Sequence, residues 1–166
     1  IAVYPPLDRR YRRIFNPDEV ATIEQYPFMA ALLMNNALWC GAVIIDRDTI
    51  LTAAHCLQLL VGFSILITIQ YIFFHPNYKS NTLEFNFALL KLHKNLTLGE
   101  SDTPIERIQY SRAKLIPVDN KILFLGWGSG ATGTGGRVLL QKVELPIYDL
   151  ADCQDIYGRS VFTVGS

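Results

Sequence analysis

Thirty consecutive positions, from Thr49 to Tyr78, carry no formally charged side chain, and this stretch limits what the chain can fold into. Its segment "LQLLVGFSILITIQYIFF" (57–74) is about long enough to cross a bilayer as a helix. Within it, however, Val61, Phe63, Ile65, Ile67, Ile69, Tyr71 and Phe73 alternate with Gly62, Ser64, Leu66, Thr68 and Gln70. A period of two rich in β-branched residues predicts strands buried on one face, so no membrane span is expected.

The rest of the chain reads the same way. "FMAALLM" and "ALWCGAVII" flank Asn35-Asn36, residues that tolerate a tight hairpin turn. "DRDT" (46–49) turns the chain into "ILTAA", "FALLKL" (87–92) is a further short strand, and "KILFLGWG" and "RVLLQKVELPI" flank a glycine-rich loop. Only "DLADCQDIY" (149–157), with Asp149 as N-cap, predicts a short helix. Many short strands joined by turns predict an all-β barrel or sandwich.

With 50% apolar and 18% charged residues, the chain can bury a sizeable core. Fifteen basic and fifteen acidic residues balance, which gives no reason to expect nucleic acid as a partner. The balance hides a basic leader: Arg9, Arg10, Arg12 and Arg13 accompany Asp8 in the first thirteen positions. "GSGATG" (128–133) matches a dinucleotide-binding pattern, but strand-like "VLLQKVEL" follows where a helix is required. It is read as an inter-strand loop, and no cofactor is expected.

The cysteines admit more than one chemistry. Cys56 follows His55 in "ILTAAHCL" (50–57), Cys40 lies sixteen positions earlier, and Cys153 is far away. As a metal centre, Cys40, His55, Cys56 and His75 lack the paired C-x-x-C spacing of structural zinc sites. As a disulfide, Cys40–Cys56 closes a short loop, contributes about 3 kcal/mol and implies an oxidising compartment. As a packing detail, the histidine has no chemical role. Spacing alone leaves these readings open.

"WCGAVIIDRDTILTAAHC" (39–56) closely resembles the region around the catalytic histidine of the trypsin/chymotrypsin-like serine endopeptidases. "RRIFNPDEVATIEQYPFMAALL" resembles their activation site and first strand, "FFHPNY" and "FNFALLKL" the approach to the catalytic aspartate, and "LGWGSG" and "LPIYDLADC" parts of the second barrel. The resemblance implies a trypsin-like antiparallel β-barrel fold, with a shortened first barrel and an incomplete second. Residues 1–13 are then a propeptide-like leader, and residues 14–166 a protease-like domain without the serine-containing part. His55 takes the general-base position, Cys40–Cys56 the bracketing disulfide, and Arg13-Ile14 the cleavage site, with no metal.

Several positions depart from the family pattern. Alignment on Ala88-Leu89-Leu90 puts Asn86, an amide, at the acid position, with Glu84 a substitute only if the strand bulges. The Gly-Asp-Ser-Gly-Gly motif of the nucleophile does not occur, and Ile14-Phe15-Asn16-Pro17 stands where Ile-Val-Gly-Gly is usual. His55 and Asn86 are closer in sequence than usual, which implies loss of the loop that binds calcium in some members. Cys153 lacks its expected partner and is available to a disulfide-linked one. Asn95-Leu96-Thr97 is an N-glycosylation sequon. The expected function is that of a secreted, catalytically inactive homologue acting on a protein or peptide partner by binding. The alternative is the N-terminal fragment of a serine endopeptidase that hydrolyses peptide bonds.

Arg10-Tyr11-Arg12-Arg13 fits both trypsin-like and furin-like cleavage, and Pro5-Pro6 keeps the leader extended. N-terminal sequencing of secreted protein is expected to begin at Ile14; a start upstream counts against the cut.

Overall fold

The computed structural model describes residues 19–34, 37–58, 69–100, 104–111, 117, 120–127, 140–147, 149 and 151–152. They form eight strands and one helical turn: β1 (Glu19–Val20), β2 (Met29–Met34), β3 (Ala37–Asp46), β4 (Thr49–Thr52), α1 (His55–Gln58), β5 (Ile69–Phe74), β6 (Ala88–Leu92), β7 (Lys121–Gly126) and β8 (Gln141–Pro146). Every strand pairing is antiparallel. One sheet has the order β2-β3-β4-β6-β5 and the other β1-β8-β7. Neither closes on itself among the described residues, in keeping with the expected shortened and incomplete barrels.

Turn chemistry sets the first sheet. Met34 pairs with Ala37, so only Asn35 and Asn36, which lie outside the described residues, separate β2 from β3. Asp46 pairs with Thr49 across the second turn, and the Asp46 carboxylate accepts the Arg47 N–H at 2.8 Å. The Lys91 ammonium, 2.7 Å from the Asp48 carboxylate, ties this turn to β6. Hydrogen bonds from Lys91 and then Thr49 hold the Asp48 carboxyl below its ordinary range.

Alternation decides what is buried. Ile50 and Thr52 of β4 point inward, as do Ala88, Leu90 and Leu92 of β6. With Ile44 and Leu57 they form the centre of the first core. β2 is buried on both faces, which explains its unbroken apolar run: Ala30 and Leu32 join the first core, while Met29 joins a second with Ala21, Ile23 and Leu140. That second cluster couples the two sheets. Phe28 and Val43 pack there from one side, Leu125 and Trp127 from the other.

β5 corrects the sequence reading. Ile69, Tyr71 and Phe73 were expected on one buried face, but Tyr71 and Phe73 are exposed while Ile72 and Phe74 pack on the core with Ile69. The register shifts between Ile69 and Tyr71, where Ile69 opposes Leu92 and Tyr71 opposes the next residue, Lys91. One extra residue in a strand reverses which side chains face inward. The earlier part of the alternating run, 59–68, lies outside the described residues, as do 128–139 of the glycine-rich loop. Asp149 acts as expected at a helix start, its carboxylate accepting the Ala151 N–H at 2.7 Å, although 153–166 are not described. No helix among the described residues is long and apolar enough to cross a membrane.

Leu90 is fully buried between β4 and β5. Leu90→Ala is expected to destabilise the fold by about 2–5 kcal/mol, and Ile50→Val by about 0.5–1.5, in urea unfolding. A Leu90→Ala loss no larger than that of a surface substitution counts against this core.

Candidate active site

Strand register assembles the site. Thr52 at the end of β4 opposes Ala88 at the start of β6. The chain leaves one strand and enters the other at the same end of the sheet, so His55 and Asn86 meet there. Ala53 and Ala54 are small enough for a tight turn against the core, in which Cys56 and Leu57 donate to the Ala53 and Ala54 carbonyls. Cys56 and Leu57 are thereby buried and His55 is left exposed.

On the other side, the 79–86 turn presents Asn86. Leu83 and Phe85 adopt positive φ, 58° and 52°, an unfavourable conformation for bulky residues. Neighbouring contacts hold them there: Lys79 and Glu84 form a bridge and an ion pair, and the Phe85 ring stacks on His75 at 4.8 Å. Phe87 packs against the other side of that cluster, 4.6 Å from the His75 ring. Glu84 is thus engaged by Lys79, and it is Asn86 that reaches His55. His75 belongs to this aromatic stack, not to the cysteine group.

The Asn86 amide grips His55 twice. Its Oδ1 accepts the His55 backbone N–H at 2.9 Å, and its Nδ2 lies 2.8 Å from His55 Nδ1. The backbone group can only donate, which fixes Oδ1 on that side and turns the NH2 group toward the ring. A donor facing Nδ1 requires Nδ1 to accept, so the neutral ring carries its proton on Nε2. Nε2 in turn lies 3.6 Å from Cys56 Sγ. A carboxylate at the same place would accept both N–H groups and put the proton on Nδ1, leaving Nε2 free to act as a base.

Cys40 and Cys56 are joined in a disulfide. Their sulfurs and a His55 ring nitrogen lie within 4.8 Å of one another. A cation would need thiolates, which the disulfide does not offer. The sequence reading missed Trp39, whose indole N–H donates to the Cys56 carbonyl at 2.8 Å and braces the turn carrying His55. Its only signal was adjacency to Cys40. Asn95 is exposed, while Arg13, Ile14 and Cys153 lie outside the described residues.

Comparison with known proteins is decisive at the level of family. The family model described as Trypsin matches residues 15–165. The chain belongs to the trypsin family. Among similar family members are Achelase-1 of Lonomia achelous, 34% identical over 72% of this chain and 61% of its own length. The vitellin-degrading protease of Bombyx mori is 25% identical over 88% of this chain and 60% of its own. Trypsin-1 of Astacus astacus is 28% identical, with shares of 81% and 63%. This trypsin-family chain therefore spans about three fifths of the length of these relatives. Its fold matches that of neuropsin, a serine protease expressed in the limbic system of mouse brain, with a TM-score of 0.68 at 23% identity, covering 86% of this chain and 68% of that one. The trypsin-like fold expected from the sequence is thus present.

In ring ¹⁵N NMR at neutral pH, His55 is expected to show a protonated Nε2 and an unprotonated Nδ1, and Asn86→Asp to move the proton to Nδ1. A wild-type ring protonated at Nδ1 alone counts against the amide orientation.

Proposed function

We propose that this trypsin-family chain is a catalytically inactive homologue that acts outside the cell by binding a protein or peptide partner. The Asn86 amide facing His55 Nδ1 carries the reading. In a serine protease, histidine Nε2 removes the proton of the attacking hydroxyl while a buried carboxylate holds the tautomer and stabilises the imidazolium. Here Nε2 holds the proton, and the amide has no charge to offer. The corresponding carboxylate-to-amide change in trypsin lowers kcat by about 10⁴.

Other features fit this role. The disulfide suits an oxidising, extracellular setting. Trp39, which braces the turn carrying His55, and Leu83 and Phe87, which flank Asn86, are exposed apolar side chains, a surface suited to a polypeptide partner. No step calls for a metal or cofactor. In this reading residues 1–13 are a leader released after Arg13, residues 14–166 form the binding domain, and Cys153 offers a disulfide to a partner. A second reading, the N-terminal portion of a serine endopeptidase, is favoured by the share of its relatives' length that the chain spans.

Serine-directed phosphonate labelling and peptide hydrolysis separate the two in protein expressed from the full reading frame. Neither signal is expected from the wild type or from Asn86→Asp. Labelling that requires His55, with turnover rising by up to about 10⁴ in Asn86→Asp, would overturn the binding reading in favour of the enzyme.

A further inference from the structure

Asn95-Leu96-Thr97 is the sole Asn-x-Ser/Thr triplet in the sequence, and the His55 site makes no use of it. It follows β6, where the chain bends at His93 and Lys94 and runs over the β3–β4 turn. The Leu92 N–H donates to the Asp48 carbonyl at 2.8 Å and the Leu96 N–H to the Arg47 carbonyl at 2.6 Å. Leu96 packs on the first core, while Asn95 and Thr97 on either side of it are exposed. The triplet thus holds its middle residue as an anchor and turns its acceptor amide and hydroxyl to solvent.

Its position leaves room for a bulky group. Thr49 opposes Lys91 at this end of the β4–β6 pair, whereas Thr52 opposes Ala88 at the His55 end. A substituent on Asn95 therefore projects from the end of the sheet away from His55 and Asn86. Directly before the triplet stands exposed Lys94. The Lys94–Asn95 peptide bond is a surface bond following a basic residue, in an irregular segment, where proteases that select basic residues cut.

We propose that Asn95 carries an N-linked oligosaccharide and that this group shields the Lys94–Asn95 bond from such proteases. The proposal rests on passage through the secretory pathway, as in the function proposed above. In the transfer, Asn95 Nδ2 forms a bond to the anomeric carbon of a lipid diphosphate-linked oligosaccharide. The carbon–oxygen bond to the diphosphate breaks, the lipid diphosphate leaves, and one amide proton passes to a base of the transferase. The half-buried Leu96 keeps the modified segment on the core, and the sugar covers the neighbouring peptide bond.

The test uses protein secreted by cultured eukaryotic cells from the full reading frame. N-glycosidase treatment is expected to lower the mass of the wild type and of Thr97→Ser, and to leave Thr97→Ala unchanged. In limited trypsin digestion, Thr97→Ala, which keeps Asn95, is expected to be cut after Lys94 several-fold faster than the wild type, with the same circular dichroism spectrum. Secreted wild type whose mass does not change overturns the proposal and leaves the compartment standing. Protein retained in the cytosol overturns both. A glycosylated wild type cut after Lys94 as fast as Thr97→Ala overturns the shield.

Discussion

The antiparallel pairing of β4 with β6 is the constraint on which the rest depends. Its register sets Ile50 opposite Leu90 in the core and Thr52 opposite Ala88 at the rim. The first pairing anchors the sheet by burying apolar area. The second delivers His55 and Asn86 to one place. A slip of one residue would turn Ile50 and Leu90 to the opposite face and separate the amide from the imidazole, so core and site share one determinant. The disulfide and the Trp39 indole then hold the turn after β4 to β3.

What this site can do is decided by one group on Asn86. Amide and carboxylate have nearly the same shape, and the His55 backbone N–H can donate to an oxygen of either. Only the ring can tell them apart, because a carboxylate offers two acceptors and an amide one of each kind. The turn holds two bulky residues, Leu83 and Phe85, at positive φ beside this side chain, which contacts the histidine.

Much of this was legible in the sequence because it depends on short-range chemistry. Asp46 to Thr49 announced a turn, the apolar runs announced strands, and the residues around His55 carried the family resemblance. What stayed hidden depends on tertiary context. The bulge after Ile69 leaves no mark on an alternating sequence, yet it decides whether Tyr71 or Ile72 is buried. The stacking of Phe85 on His75 needs a positive φ that Phe85 does not favour, and no local pattern encodes it. Trp39 reaches Cys56 across seventeen positions, a partnership that exists only once β3 is paired.

β1 has a consequence for how the chain reaches this state. Val20 pairs with Gln141, and the Ala21 N–H donates to the Leu140 carbonyl. The two strand residues nearest the start of the described fold thus wait for partners that leave the ribosome more than a hundred residues later. Loop closure of that length is slow compared with forming the β2–β3 hairpin. Until β8 arrives, Met29 and Ile23 have only one side of their cluster to pack against, and the nascent chain displays apolar surface open to chaperones. The first described strand to be synthesised thus pairs with the last.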